Sequence, residues 1–557
     1  MGAPPIRTRQ TNEHGPRERG HRHARPAVAM ALARLSALAA PLLLAGCMVG
    51  PNFQAPPAPA VGGYTVEPRL KPAMATDVVG GAPQSFVNAL DVGGQWWREF
   101  NSPQINAFVE ESVRNHPDVR AAQYALRAAR ETTLQVRGQF LPQVSGNVSA
   151  TREQITAASG GTTGAPTLYN LYETTVNVSY TLDVFGGIRR QVESAEAQAQ
   201  YQRFEMEATY LTLVANVVTT AINDASLRAQ IAATQAIVEA ETDQLRRVQR
   251  QFEVGAVSQA DVLAQQTTLA QTQATMPPLQ KQLAQGRNQL MAYLGRLPSE
   301  DRGESVDLRS LRLPRKLPVS LPSDLVRQRP DIRQAEATLH QAAATVGVNT
   351  ANLLPQFTLT PSVSSQALTV GQLFTPQGLA WTAAASIAQT LMDGAQLYRT
   401  KEASVAAFEQ DYALYQSTVL TAFQNVADAL RAVQYDAATL RAQALAEQSA
   451  LDSLKMAQEQ FKVGAIGYAI VIEAQQAYQN AVIARIQAQA LRYNDTVALF
   501  QALGGGWWNR VDETSDAAIR NGGYFEGPDG PALAATRPGL PDLPPTPEPG
   551  TAKEKSR

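Results

Sequence analysis

The chain of 557 residues carries a formal net charge of -1, with 17% charged and 44% hydrophobic residues. That balance gives no electrostatic pull toward nucleic acid. A single cysteine, Cys47, excludes an intramolecular disulfide and any cysteine-based metal cluster.

The first element in chain order is a short apolar segment. Leu35 to Gly46 carry no charge and Arg34 precedes them, which is the pattern of a signal-peptide h-region with a basic flank. The run is too short for a spanning helix. Residues 1–29 are long, basic and Pro-rich for such a signal, whereas "MALARLSALAAPLLLAGC" from Met30 is compact by itself. We therefore assign 1–46 to a signal peptide and place the cellular start at Met30. Leu44-Ala45-Gly46-Cys47 resembles the bacterial lipobox, in which cleavage leaves the cysteine as residue one and lipid is attached to it. Acyl chains bury methylenes in the bilayer at about 0.8 kcal/mol each, so several chains make a firm anchor. Met48 follows, not the Asp that signals inner-membrane retention. The resemblance thus implies the outer membrane of a Gram-negative cell.

Residues 47–102 read as an extended N-terminal segment. An Ala-rich helix follows from about Pro103 to Gly138, and "LPQ" ends it. Period-two alternation in "QVSGNVSATRE" and "YETTVNVSYTLD" predicts a strand pair, with the Gly/Thr-rich connector between them as an exposed loop. No Gly or Pro then occurs between Gly187 and Gly255, which predicts one helix of roughly 100 Å at ~1.5 Å per residue. Leu227, Ile231, Thr234, Val238, Glu241, Leu245, Val248 and Phe252 alternate steps of four and three, an a/d seam. Gly255 suits a helix C′ turn. The returning helix spaces Val262, Leu269, Met276, Leu283 and Leu290 by seven, and Pro277-Pro278 should kink it.

The same plan then recurs. Pro117-Asp118 returns as Pro330-Asp331 and Leu141-Pro142-Gln143 as Leu354-Pro355-Gln356. "FEVGA" from Phe252 returns as "FKVGA" from Phe461, and Leu294-Gly295 as Leu503-Gly504. The chain therefore divides into a first repeat at 103–295, a linker at 296–323 and a second repeat at 324–508. The second repeat holds a helix from about Asp324 to Asn352, strands in "QFTLTPSVSSQ" and "LAWTAAASIAQTL", and a hairpin with its tip at Gly464. The tail at 509–557 is Pro/Gly-rich and reads as disordered. Behind Cys47 there are two histidines, His116 and His340, too few for a His-rich metal site; both read as surface or capping residues.

Four strands cannot close a membrane barrel, and open edges are not tolerated in lipid. Three chains supply twelve strands, enough to leave a lumen. Here the residues resemble the outer-membrane efflux proteins, the TolC-like trimeric channels, and within them the lipoprotein (NodT-type) branch. The residues that carry it are the lipobox with "GPNF" behind it, "WWREFNSPQI", the two "LPQ" sites, "LDVFGGIRR" from Leu182, the "VGA" tips and "ALGGGW" from Ala502. It covers about residues 42 to 508. The implied fold is mainly α with a β-barrel part, a homotrimer with a 12-stranded barrel and an α-helical periplasmic tunnel. The implied function is a passive exit duct for small molecules such as drugs. It would work with a periplasmic adaptor and an inner-membrane pump of RND type, with no cofactor beyond the lipid on Cys47.

The resemblance also assigns residues. Glu473 matches an acidic ring at the periplasmic gate, and Ile470 stands where a second acid is usual, so a hydrophobic ring could gate by dewetting. Gly255, Ser258, Asp261 and Gly464 match the adaptor-docking tips, whereas Gly467 and Ile470 replace the Ser and Asp of the second tip. By their own positions, ahead of the first helix and far from the strands, Trp96 and Trp97 read as packing on the helices, and Trp381, on a strand, as part of the membrane girdle. An enzyme is the rival these residues disfavour. There is no phosphate-binding Gly loop and no nucleophile beside a base, and Gly504-Gly505-Gly506 opens no helix of a βαβ unit. A duct for type I protein secretion and a pore-less structural lipoprotein remain as alternatives. A spacer would need no duplicated strand pairs.

Overall fold

A computed structural model describes residues 48–67, 72–155 and 166–510. The signal peptide, Cys47 and all but the first residues of the tail lie outside the described residues. The chain forms two compact units, each assembled from separate stretches of sequence.

The first unit takes residues up to Gln54, Ala129–Ala199 and Thr338–Asp411. Its centre is an antiparallel sheet of β2 (Gln143–Ile155), β3 (Thr167–Leu182), β5 (Gln356–Ala367) and β6 (Leu379–Ala388), in the order β2-β3-β5-β6. Each pair of repeat strands is a hairpin, and β3 joins β5 to fuse the two repeats into one sheet. Residues directly opposite in a ladder share a face. Val144 faces Val178, Val176 faces Val363, Val363 faces Trp381 and Phe357 faces Ile387. One face is therefore mainly apolar, with Arg152, Asn170, Thr174 and Ser365 as polar members of it. The other carries Ser145, Asn147, Ser149, Thr175, Asn177, Ser362 and Thr382. The β3–β5 pairing skips Val178, opposite Pro361, and Ser179, opposite Thr360; Pro361 has no N–H to give a ladder.

The second unit holds Ala55–Ala128, Gln200–Ala337 and the chain from Tyr412 onward. Here the structure corrects two predicted helices. The helix expected from Pro103 to Gly138 is α1 (Pro103–Asn115) and α2 (Pro117–Arg137), and that expected from Asp324 to Asn352 is α5 (Pro322–Gln328) and α6 (Pro330–Ala351). His116 and Arg329, at the breaks, are extended. Each precedes a proline whose ring disfavours the α region for its neighbour. His116 caps the break, its Nδ1 accepting from the Asp118 amide at 3.2 Å. The sequence also hides a parallel pair, β1 (Ser85–Asn88) with β4 (Lys316–Val319), which crosses the N-terminal segment and the linker. Four residues are too few to display an alternation.

The long helices have the extents predicted. They are α3 (Gly187–Glu253), α4 (Gln259–Tyr293), α7 (Gln396–Lys462) and α8 (Tyr468–Ala502), of 67, 35, 67 and 35 residues. Pro277-Pro278 lie inside α4 without ending it. Val262, Leu269 and Leu290 are buried, and Met276 and Leu283 half-buried. On α3, Thr234, Glu241 and Val248 are buried at seven-residue spacing, while Phe252 is exposed at the helix end. Trp96 and Trp97 are buried, Trp96 stacked on Phe500 at 5.3 Å.

Glu241 is the exception in the seam. It is 2% exposed, and its carboxylate oxygens lack hydrogen bonds. The Thr272 hydroxyl gives its proton to Gln479 Oε1 at 3.2 Å and not to Glu241. Burial pushes the carboxyl up, against the weaker pull of Thr272. A raised carboxyl holds its proton better when folded, so its stabilising effect is present at low pH and lost as pH rises through the folded value. Glu241→Gln is expected to raise stability near pH 7.5 by about 1 kcal/mol. It should also flatten the fall in midpoint above pH 4.5, the ordinary value. Thermal melts at several pH values check this, and parallel curves for both proteins would refute it.

Candidate functional site: the two hairpin tips

Both tips are built by the same backbone device. At the first, Gly255 has φ +75°, its N–H donates to Phe252 O at 2.9 Å, and Ala256 N–H reaches Gln251 O at 2.8 Å. At the second, Gly464 has φ +76°, with Phe461 O at 3.0 Å and Ala465 N–H on Gln460 O at 2.9 Å. This left-handed turn satisfies carbonyls that the helix end leaves open, and only glycine adopts it without a Cβ penalty. It also pushes the preceding valines outward. Val254 is 79% and Val463 80% exposed, so each tip presents an apolar side chain to solvent.

The returning helices differ. Ser258 caps α4 with a full capping box: its Oγ accepts from Asp261 N at 3.3 Å, and Asp261 Oδ2 accepts from Ser258 N at 2.9 Å and from Ser258 Oγ at 2.7 Å. Gly467 begins α8 with no side-chain cap. Gly255, Ser258 and Asp261 are thus gathered at one tip, and Gly464 stands alone at the other.

Ile470 and Glu473 lie one turn apart near the start of α8, both exposed. Their neighbours Val471 and Ala474 are buried with Val248, Val262 and Ala457, so the apolar face of α8 turns them outward. Within the chain, Glu473 has no ion pair among the described residues.

Tyr468 is a residue of this site that the motifs did not single out. Its buried hydroxyl donates to Gln265 Oε1 at 2.7 Å, and Gln265 Nε2 donates to Glu241 O at 3.3 Å. Burial pushes the phenol up to about 12, so it stays a donor at neutral pH. One hydrogen-bonded line thus ties α8 to α4 and α3 behind the tips. Its sequence signal is faint: a tyrosine and a glutamine at heptad core positions.

The chain matches the family model for outer membrane efflux protein over residues 108–296 and 321–505, one segment in each repeat. It belongs to the outer membrane efflux protein family. The efflux protein is 27% identical over 486 residues to the antibiotic efflux pump outer membrane protein ArpC of Pseudomonas putida, covering 87% of this chain and 98% of that one. It is 29% identical over 486 residues to nodulation protein T of Rhizobium leguminosarum bv. viciae, covering 85% and 94%. The solved outer-membrane channel OprN superposes with a TM-score of 0.74 at 25% identity, over 83% of this chain and 100% of that one. This efflux protein is therefore an outer-membrane channel component, located in the outer membrane, and not an enzyme.

Proposed function

We propose that the protein is the passive exit duct of a tripartite efflux pump, releasing small molecules such as drugs. It works as a homotrimer whose sheets close a 12-stranded barrel and whose helical hairpins form the periplasmic tunnel. The observation that supports this most is the sheet with one mainly apolar and one polar face. Val144, Val148, Val363, Trp381 and Ile387 are all exposed in the single chain, Trp381 by 76%. Among the described residues β2 and β6 each keep one unpaired edge. An apolar face toward lipid, a polar face toward a lumen and edges joined to neighbouring chains would resolve all three features. Trp381 then belongs to the membrane girdle.

Cys47 carries the lipid anchor. The tips at Gly255, Ser258, Asp261 and Gly464 dock the periplasmic adaptor, and the inner-membrane pump is of RND type. The exposed Val254 and Val463 offer the adaptor an apolar contact at each tip. The domain plan read from the repeats, 103–295 and 324–508 around a linker, places one hairpin in each half.

Glu473 and Ile470 form the periplasmic gate. Three carboxylates at the trimer axis repel one another, and some hold protons or a cation. Single-channel conductance in planar bilayers tests this with the mature protein beside Glu473→Gln. A low wild-type conductance that rises severalfold in the variant supports the acidic gate. A pore unchanged by Glu473→Gln but widened by Ile470→Ala moves the gate to the hydrophobic ring. Absence of conductance from a folded trimer would overturn the duct.

A further inference from the structure

The segment just behind Cys47 is held in a built seat. Val49 N–H donates to Phe185 O at 3.1 Å, three residues past the end of β3. Arg190, on the first turn of α3, has a side chain that is 0% exposed. Its Nε donates to Val49 O at 3.1 Å, and its Nη2 to Gly50 O at 3.2 Å and Asn52 Oδ1 at 2.8 Å. Its Nη1 donates to Glu193 Oε2 at 2.6 Å. The other oxygen of Glu193 lies 2.9 Å from His340 Nε2, and the His340 ring stacks on Phe53 at 4.3 Å and 13°.

Two glycines make room for this seat. A Cβ on Gly347 would lie 2.7 Å from Arg190 Cδ, and one on Gly186, at φ +78°, would lie 2.9 Å from Met48 Cα. The "LDVFGGIRR" motif thereby acquires a physical reading. Asp183 caps α3 through Ile188 N at 2.9 Å and Arg189 N at 3.0 Å, Gly186 admits the N-terminal segment, and Arg190 holds it. His340 is consequently neither a surface nor a capping residue, as its sequence context had implied, but one wall of the seat.

We infer that Arg190, Glu193 and His340 form a receptor for residues 48–54 of their own chain, a strap whose seating fixes where the lipid on Cys47 enters the membrane. A guanidinium has five donors in a rigid fork and can hold several carbonyls at once, which an ammonium cannot do with the same geometry. With the strap seated, Cys47 is two residues from a backbone hydrogen bond at the end of β3. Released to Gln54, the same cysteine could wander by roughly 25 Å, at about 3.4 Å per residue. Arg190 is thus a positioning residue, and the lipid anchor is referenced to the strands and not merely tethered to them. This rests on the reading of Cys47 as the lipidated residue.

The test is chymotrypsin cleavage after Phe53 in the purified full-length protein, followed by mass spectrometry of the released N-terminal peptide. The seated strap shields Phe53, so the wild type should resist. Arg190→Ala and Asn52→Ala should each speed the cut at least tenfold, with the thermal midpoint of Asn52→Ala unchanged. Arg190→Lys should behave like Arg190→Ala. If Arg190→Ala does not fold, Asn52→Ala and His340→Ala give the same readout with the Arg190–Glu193 pair intact. Unchanged cleavage in the folded variants, or equal protection with Arg190→Lys, overturns the receptor. The mass of the released peptide reports the lipid separately. A peptide without acyl mass refutes the lipid reading and with it the anchor-positioning role, while the cleavage rates still decide whether Arg190 holds the strap.

Discussion

Arg329→Ala is expected to lower stability by about 2–3 kcal/mol, chiefly the cost of leaving buried backbone carbonyls without their donor, because the partner carboxylate of Asp331 is itself 41% exposed and stays hydrated. Arg329 sits at the break between α5 and α6, and its guanidinium is buried. Nε and Nη2 each meet a carboxylate oxygen of Asp331 at 2.9 Å, while Nη1 donates to Ala422 O at 3.1 Å and Ala502 O at 3.0 Å. Ala502 ends α8, so its carbonyl has no partner within the helix. One side chain therefore joins three helices, and its removal opens the Ala422 and Ala502 carbonyls, while Asp331 keeps the Ile332 amide and water. Spread over a chain of this size, the loss corresponds to a fall of about 2 °C in the thermal midpoint. Arg329→Lys should recover less than half, because an ammonium lacks the planar fork. A midpoint shift under about 1 °C for Arg329→Ala would refute this account.

Gly506→Ala is expected to cost about 3 kcal/mol, and Gly93→Ala, its neighbour in space, less than about 0.5 kcal/mol. Gly504, Gly505 and Gly506 all have positive φ, +91°, +66° and +68°, which explains why "ALGGGW" carries three glycines in a row. At Gly506 an added Cβ would lie 2.5 Å from Val92 O and 2.6 Å from Gly93 O, backbone atoms that cannot swing aside. The left-handed conformation adds about 1 kcal/mol of strain for a residue with a Cβ. At Gly93 the same methyl meets open space. The turn matters because it leads into Trp507 and Trp508. Trp507 Nε1 donates to Gln328 O at 2.6 Å and Trp508 Nε1 to Asp91 Oδ1 at 3.0 Å, pinning the chain after α8 to the second unit. Thermal melts of the two variants side by side check the contrast. Equal losses would show that glycine content matters and not the contact with Val92 and Gly93.

The features legible in the sequence are those set by local rules. A window without Gly or Pro from Gly187 onward marked a 67-residue helix, and the glycine after each "FxV" marked its turn. Period-two alternation located all four strands of the sheet, because each strand has one mainly apolar face and one polar face whatever lies beyond it. The repeat itself was visible as recurring punctuation. Two helix breaks were also written in the chain, at the residues before Pro117 and Pro330, although the Ala-rich pattern around them suggested continuity.

Tertiary structure decided what depends on residues far apart in the chain. β1 and β4 are separated by more than two hundred residues and are too short to signal themselves. Arg190 gives no sequence hint that its partners are Val49, Gly50 and Asn52, since a buried arginine and an exposed one are spelled alike. Glu241 fits a heptad seam by position, but only packing on every side removes it from water and raises its carboxyl. Tyr468 and Gln265 likewise become a link between helices only when the hairpins pack. Local rules of backbone and periodicity act within a few residues and can be read from the string; burial and partner choice are set by the summed packing of distant segments, and only the folded chain contains them.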